Sequence, residues 1–177
     1  MEKKNTSSLM IKMALILMAI CAVVSAVLGA VNMITAPVIA QIAADKTTAA
    51  YNEVLPSAAG YEAVDYTDAN VTAVAKCAEG TVVEVSISGS QSMLALAIGV
   101  DNDGVITGVS VIDHGETPGL GAKSTEAEWR AQFAGQTSGL ALEKKGGEVV
   151  PLTGATITSQ AIVDACQIAI DTAANVG

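Results

Sequence analysis

The chain has 177 residues, a formal net charge of −9 and an apolar content of 51%, and only 3% of its residues are aromatic. This length allows one ordinary domain with appendages. Residues 45–177 include 17 acidic and 6 basic residues, which gives this part of the chain a net charge of −11. Because such a surface repels phosphate backbones and offers few aromatic platforms for bases, the composition excludes nucleic-acid binding.

An uncharged apolar stretch follows the N-terminus. No charged residue occurs from Met13 to Ala44. Its first part, Met13–Ile34, matches the roughly 20 residues that cross a hydrocarbon layer. A secretory signal peptide is the less favoured alternative, because the apolar run exceeds the usual h-region of about 7–15 residues and no small-x-small cleavage site follows. The sequence therefore predicts an uncleaved transmembrane helix at residues 13–34.

The charges on the two sides of this span differ. Lys3, Lys4 and Lys12 precede it and are opposed only by Glu2, whereas acidic residues dominate after it. The positive-inside rule then places residues 1–12 in the cytoplasm and the C-terminal part on the outer side. We therefore predict a single-pass protein of the cell (inner) membrane whose main domain is extracytoplasmic.

Short valine- and isoleucine-rich runs follow a helical segment. Residues 35–60 have helical composition until Pro56 and Gly60 end the pattern, which predicts a helical connector. Four runs then predict antiparallel strands: Val71–Cys77, Thr81–Ile87, Met93–Val100 and Val105–Ile112. Between the last two, the Asp101–Gly104 turn predicts a hairpin because its residues tolerate left-handed dihedral angles.

Loops and helices complete the chain. Gly115–Lys123 is a glycine-rich loop, Thr125 with Glu128 predicts a capping box, and Gln160–Ala173 predicts a helix with one apolar face. Strands followed by helices predict an α+β domain at residues 61–177, in which helices cover an antiparallel sheet. A Rossmann fold and ATP chemistry are disfavoured, since neither a G-x-G-x-x-G after a strand nor a Walker A motif occurs.

The thiols and the single histidine give no metal signature. Cys21, Cys77 and Cys166 form no C-x-x-C pair, and His114 lacks a cluster of ligating neighbours. We therefore expect neither a metal site nor an iron–sulfur cluster, and no acid–base dyad indicates catalytic residues. Whether Cys77 and Cys166 form a disulfide or remain buried thiols is left open.

A hydroxyl-rich turn precedes the last predicted helix. Residues Thr153–Ser159 read T-G-A-T-I-T-S, with Ser159 or Thr158 expected to cap the helix. Unpaired N–H groups and the positive end of the helix dipole stabilise a phosphate at such a place. A capped helix without a ligand is the alternative, and the local pattern alone favours it.

Two stretches together resemble a known family. Leu152–Ser159 reads L-T-G-A-T-I-T-S, and Glu116–Lys123 reads E-T-P-G-L-G-A-K. They resemble the FMN-binding domain in the G subunit of Rnf-type electron transport complexes, a relative of the C subunit of the sodium-translocating NADH:quinone reductase. The single membrane span and the order of the two motifs match as well. The chain departs from many relatives at Val150, where they carry aspartate, and at Gly89–Ser92, where they carry a glycine-tyrosine-glycine element.

The resemblance implies a covalently bound cofactor. FMN is expected to be joined through its phosphate to Thr156, by a phosphoester that a flavin transferase installs. The other residues expected at the flavin come from both motifs: Thr153, Gly154, Ala155, Thr158, Ser159, Glu116, Thr117, Gly119, Leu120, Gly121 and Lys123. Lys123 supplies a positive charge for phosphate or reduced flavin, while Glu116 either hydrogen-bonds the ring or fixes the loop.

The resemblance also implies a function. The expected protein is a membrane-anchored flavoprotein subunit that carries electrons between reduced ferredoxin and NAD, in a complex with other subunits that translocates sodium ions or protons. Two alternatives are an FMN-bearing extracytoplasmic electron-transfer protein outside any Rnf complex, and a cofactor-free membrane-tethered interaction module.

Overall fold

The computed structural model describes residues 2–176 and begins with one long helix, α1, at Glu2–Val54. This helix is continuous through Pro37, although proline lacks the amide hydrogen of a regular helix position. Its stretch Leu9–Val54 is long and apolar enough, by length and composition, to cross a membrane. Because the same helix continues past residues 12 and 34 and ends at Val54, the division into N-terminal segment, span and connector stays a prediction.

Two compact units divide the chain between Asp45 and Lys46. The second unit contains a five-stranded antiparallel sheet whose strands lie side by side in sequence order. The strands are β1 Glu62–Val64, β2 Val71–Cys77, β3 Gly80–Ser88, β4 Met93–Asp101 and β5 Ile106–Asp113. The four predicted strands are confirmed to within one residue at each end, and β1 is an additional short edge strand.

The predicted hairpin between β4 and β5 is confirmed. The Asp101 carboxylate accepts hydrogen bonds from the N–H groups of Asp103 (2.9 Å) and Val105 (2.8 Å). The Asp101 N–H donates to the Val105 carbonyl at 2.9 Å. Gly104 has φ +80°, a conformation that glycine adopts without steric cost.

Within residues 2–176, two α-helices and three 3-10 helices follow the sheet, which confirms the α+β class. The helices are Gly121–Thr125 (3-10), α2 Ala127–Arg130, Ala131–Phe133 (3-10), Glu143–Lys145 (3-10) and α3 Thr156–Val176. The predicted capping box at Thr125 and Glu128 is wrong, because α2 begins after Glu126 without a side-chain cap. The Thr125 hydroxyl instead donates back to the Ala122 carbonyl at 2.9 Å.

Both faces of the sheet are covered. On one face, apolar residues of α3 pack with Val83, Leu96 and Ile98. On the other face, the end of α1 packs with Val82 and Ala97. Since successive strand residues point to opposite faces, Val82 and Val83 are both fully buried. The central strands therefore read as nearly continuous apolar runs.

The last turn of α1 is fixed to this second face. The Val54 carbonyl accepts a hydrogen bond from the Thr107 hydroxyl at 2.6 Å. A side chain at Gly99 would come within 2.8 Å of the same carbonyl, so glycine permits the close approach. Glu53 forms an ion pair with Arg130 at 3.0 Å. The end of the long helix is thus part of the folded domain.

The two cysteines outside the long helix lie on different sides of the sheet. Cys166 is fully buried in the cluster under α3, and burial raises the pKa of its thiol. Cys77 packs against the cluster on the opposite face. Both thiols are free, so the disulfide that the sequence left open does not form.

Candidate functional site

The Thr153–Ser159 turn leads directly into α3. Gly154 has φ +77°, which places the required left-handed residue just before the helix. The Ala155 N–H donates to the Leu152 carbonyl at 3.0 Å, and the helix begins at Thr156. The helix is therefore longer at both ends than the predicted Gln160–Ala173, and its free N-terminal N–H groups lie at Thr156 and the residues after it.

The prediction that Thr158 or Ser159 caps this helix is wrong. Both residues lie inside the first turns of α3 and have no exposed surface. The Ser159 hydroxyl accepts from the Leu152 N–H at 2.9 Å and donates to the Ala155 carbonyl at 3.0 Å. The Ser159 side chain thus links the backbone of Leu152 and Ala155 in the turn to the first turns of α3.

A buried carboxylate, Glu116, connects three segments of the chain. Its Oε2 accepts a hydrogen bond from the Thr158 hydroxyl at 2.7 Å. Its Oε1 accepts from the backbone N–H groups of Ser90 and Gln91, each at 3.0 Å, and more weakly from Ser92 at 3.4 Å. We call Glu116, Thr158 and the backbone of residues 90–92 the Glu116 network.

The Glu116 carboxylate is ionised at neutral pH. Burial by itself raises the pKa of Glu116, but the hydrogen bonds from Gln91, Thr158, Ser92 and Ser90 outweigh burial and hold the pKa below its ordinary value. The side chain is only 5% exposed. Because both oxygens accept bonds from the chain itself, the geometry favours fixing the loops over hydrogen bonding to a ring.

Glycines allow the loops to close on this carboxylate. A side chain at Gly121 would overlap Glu116 and approach the Thr158 hydroxyl to 2.9 Å. A side chain at Gly89 would come within 2.5 Å of the other carboxylate oxygen. The turn between β3 and β4 binds Glu116 through backbone N–H groups. This turn therefore binds Glu116 although it lacks the glycine-tyrosine-glycine element of many relatives.

The structure brings the two sequence motifs together. In the loop after β5, the Leu120 N–H donates to the Thr117 carbonyl at 3.1 Å, and Gly119 has φ +77°. These features form a tight turn with Pro118 and glycine at its centre. Leu120 is 43% exposed and lies against the second motif, because a side chain at Gly154 would come within 2.9 Å of it.

Thr156 is exposed at the first position of α3 and borders a cavity of about 360 Å³. This volume lies within the range of roughly 300–1,000 Å³ that is typical of cofactor sites. The cavity is lined by residues from β3, the 3-10 helix Glu143–Lys145 and α3: Ile87, Ser88, Leu142, Lys144, Lys145, Thr156, Ile157, Gln160, Ala161 and Asp164. We call it the Thr156 cavity.

The residues of the Thr156 cavity fit a flavin. Ile87 and Ile157 provide apolar surface for a flat ring system, and the lysines provide positive charge. The exposed hydroxyl of Thr156 lies next to free N–H groups at the helix N-terminus, a place where a phosphate is stabilised.

Thr153 and Lys123 lie at a different cavity, of about 320 Å³. Glu126, Glu128 and Trp129 line it with them. Lys123, the cation that the sequence motif indicated, is therefore not among the residues that line the Thr156 cavity. Lys144 and Lys145 do line it, and no sequence pattern indicated them because they come from an irregular segment outside both motifs.

Comparison with known proteins gives two family matches. Residues 89–171 match the FMN-binding domain, and residues 1–54 match the RnfG N-terminal region. The first match contains the Glu116 network and all the residues that line the Thr156 cavity except Ile87 and Ser88.

Individual relatives match over most of the chain. The chain is 35% identical over 173 residues to the G subunit of the ion-translocating oxidoreductase complex of Methanosarcina acetivorans, covering 90% of this chain and 92% of that protein. It is 35% identical over 185 residues to the G subunit of the Na(+)-translocating ferredoxin:NAD(+) oxidoreductase complex of Acetobacterium woodii, covering 90% and 89%. The G subunit of the ion-translocating oxidoreductase complex of Escherichia coli is 32% identical over 160 residues, covering 77% and 78%. The chain therefore belongs to the family of G subunits of Rnf-type ion-translocating oxidoreductase complexes.

Proposed function

We propose that the protein is the membrane-anchored flavoprotein subunit of an ion-translocating ferredoxin:NAD oxidoreductase, and that it carries electrons through FMN esterified to Thr156. The observation that carries this proposal is the exposed Thr156 hydroxyl beside a cofactor-sized cavity, within the segment that matches the FMN-binding domain. Bound FMN supplies one- and two-electron chemistry by itself, so the protein has only to hold and tune it.

Burial and position favour Thr156 over the other hydroxyls of its turn. Thr158 and Ser159 have no exposed surface, and their hydroxyls are bonded to Glu116 and the Ala155 carbonyl. Thr153 is exposed, but it borders the other cavity. A phosphate on Thr156 would meet the free N–H groups at the start of α3 and the positive end of its dipole. A flavin transferase would form the ester during maturation.

The remaining predicted site residues take several roles in this proposal. Thr153, Gly154 and Ala155 shape the turn before the ester, while Glu116, Thr158 and Ser159 hold that turn from inside. The loop residues Leu120 and Gly121 lie beside the turn, Thr117 and Gly119 shape that loop, and Lys123 adds positive charge on the Thr153 side. A covalent bond keeps the cofactor in place outside the cytoplasm, where dissociated FMN would be lost.

The domain carries out this role on the outer side of the membrane, with residues 1–12 in the cytoplasm. Lys3, Lys4 and Lys12 before the apolar stretch support this orientation. Protease added to cells without an outer envelope should digest residues 45–177. Protection of these residues until the inner membrane is opened would contradict the orientation.

The test of function is electron transfer by the assembled complex that contains Thr156→Ala. At normal subunit levels, we expect this variant to lose ferredoxin-dependent NAD reduction, because residues 2–176 contain no group of side chains that could hold a metal centre in place of the flavin. Thr137→Ala is the control, since Thr137 is an exposed threonine outside both motifs, and it should retain the rate. Near wild-type rates for Thr156→Ala would show that the flavin lies off the main electron path.

A further inference from the structure

Two adjacent lysines line the Thr156 cavity although the domain is strongly acidic. Residues 45–177 carry a net charge of −11, with only six basic residues. Two of the other basic groups are engaged elsewhere, since Arg130 pairs with Glu53 and the Lys76 amine donates to the Val176 carbonyl at 2.9 Å. Lys144 and Lys145 thus place a third of the domain's basic residues at one cavity.

These lysines stand on a firmly held segment. They belong to the 3-10 helix Glu143–Lys145, which lies between the fully buried side chains of Leu142 and Val149. The Glu143 N–H donates to the Val149 carbonyl at 2.9 Å, and the Lys145 N–H donates to the Leu142 carbonyl at 2.8 Å. Hydrogen bonds therefore hold the backbone that carries both lysines, and both residues line the cavity that Thr156 borders.

We propose that Lys144 and Lys145 raise the reduction potential of the flavin attached at Thr156. This inference rests on the proposed function. Reduction adds electrons to the ring system, so fixed positive charges beside it favour the reduced form. Lys123, the cation suggested by the sequence motif, lines the other cavity and has the smaller influence.

An acidic side chain opposes the lysines in the same cavity. The Asp164 carboxylate accepts a hydrogen bond from the Gln160 amide at 2.8 Å, one turn along α3. Its charge favours the oxidised form, so removing it acts in the opposite direction to removing the lysines. The sign of the shift thus identifies charge as the cause.

The experiment is a spectroelectrochemical titration of the full-length protein, matured with its flavin transferase. Each variant is first checked for covalent flavin by intact mass and by fluorescence after denaturation. The K144Q/K145Q double variant should lower the two-electron midpoint potential by at least the equivalent of a tenfold change in the reduced-to-oxidised ratio, about 30 mV. Asp164→Asn should raise the midpoint.

Three comparisons test whether the lysines change the midpoint potential through their charge or through a change in local structure. The conservative K144R/K145R variant should retain the wild-type potential. Lys123→Gln should shift the potential by less than half as much as K144Q/K145Q. The difference between K144Q/K145Q and wild type should shrink at about 1 M salt, where the screening length falls to about 3 Å.

The outcomes distinguish this inference from the proposal on which it rests. A wild-type protein without covalent flavin overturns both. Fully loaded K144Q/K145Q with an unchanged midpoint overturns only the role of the lysines. A shift in Lys123→Gln of half or more of the shift in K144Q/K145Q overturns the assignment to the Thr156 cavity.

Discussion

The exposed and the buried hydroxyl side chains of the Thr153–Ser159 turn differ in their contacts. Thr156 on the surface has an exposed hydroxyl that borders a cavity. Thr158, two residues along the chain, is completely buried and donates to Glu116. In our proposal, the same hydroxyl chemistry therefore serves attachment at Thr156 and positioning at Thr158. Burial, more than residue type, separates the two roles.

The strongest test of this division uses the two threonines directly. Thr156→Ala should lose all covalently bound flavin, because its hydroxyl is the proposed acceptor. Its free energy of unfolding should change by no more than about 0.5 kcal/mol, as for other exposed positions. Stability is measured on protein made without the transferase, from urea titrations that follow the fluorescence of Trp129, the single tryptophan.

Thr158→Ala should show the reverse pattern. It should keep the flavin ester but lower the free energy of unfolding by about 1–3 kcal/mol, because one buried hydrogen bond to a carboxylate is lost. Equal stability losses in the two variants, or loss of the ester from Thr158→Ala alone, would remove the distinction between surface and interior.

A second test removes the Glu116 carboxylate, which accepts the buried hydrogen bonds beneath the turn. Glu116→Ala leaves the N–H groups of Ser90 and Gln91 and the Thr158 hydroxyl without their acceptor. We expect it to lower the free energy of unfolding by about 2–4 kcal/mol. Glu143→Ala, which removes an exposed carboxylate, is the control and should change stability by no more than about 0.5 kcal/mol. A Glu116→Ala protein as stable as the control would mean that the Glu116 network does not hold the loops.

The third and smallest expected effect is on pH dependence. Because the pKa of Glu116 is lower in the folded state, its ionisation stabilises the fold above its unfolded-state pKa, near 4.5. This contribution is lost as the pH falls through the lower folded-state pKa. Urea titrations at pH 7 and at several values below 4.5 should therefore show the stability difference between wild type and Glu116→Gln narrowing in acid. If the stability difference between wild type and Glu116→Gln stayed constant with pH, groups other than Glu116 would account for the pH dependence of stability.

Much of the fold was predictable because local patterns decide it. Valine- and isoleucine-rich runs bounded by turn residues located β2 to β5, and the Asp101–Gly104 turn located the hairpin. The edge strand β1 was missed, since Glu62–Val64 has only three residues and no alternating pattern. The packing of the end of α1 on the sheet was also missed, because it depends on a tertiary contact at Gly99.

The site was predictable only in part. The two motifs indicated the Thr153–Ser159 turn and the Glu116 loop, and the structure places them side by side. The bond between Glu116 and Thr158 joins residues 42 positions apart, so no local pattern reveals it. The predicted cap at Thr158 or Ser159 was wrong because the helix begins earlier, at Thr156. Both side chains are therefore buried within its first turns.

The attachment point of the flavin is the most direct test of the account. Protein purified from its native membrane in the presence of the transferase is digested, and the fluorescent peptide is mapped by mass spectrometry. The account predicts one FMN phosphoester per chain, located on Thr156. An ester on Thr153 or Thr158, or a wild-type protein whose mass and fluorescence after denaturation reveal no flavin, would contradict it.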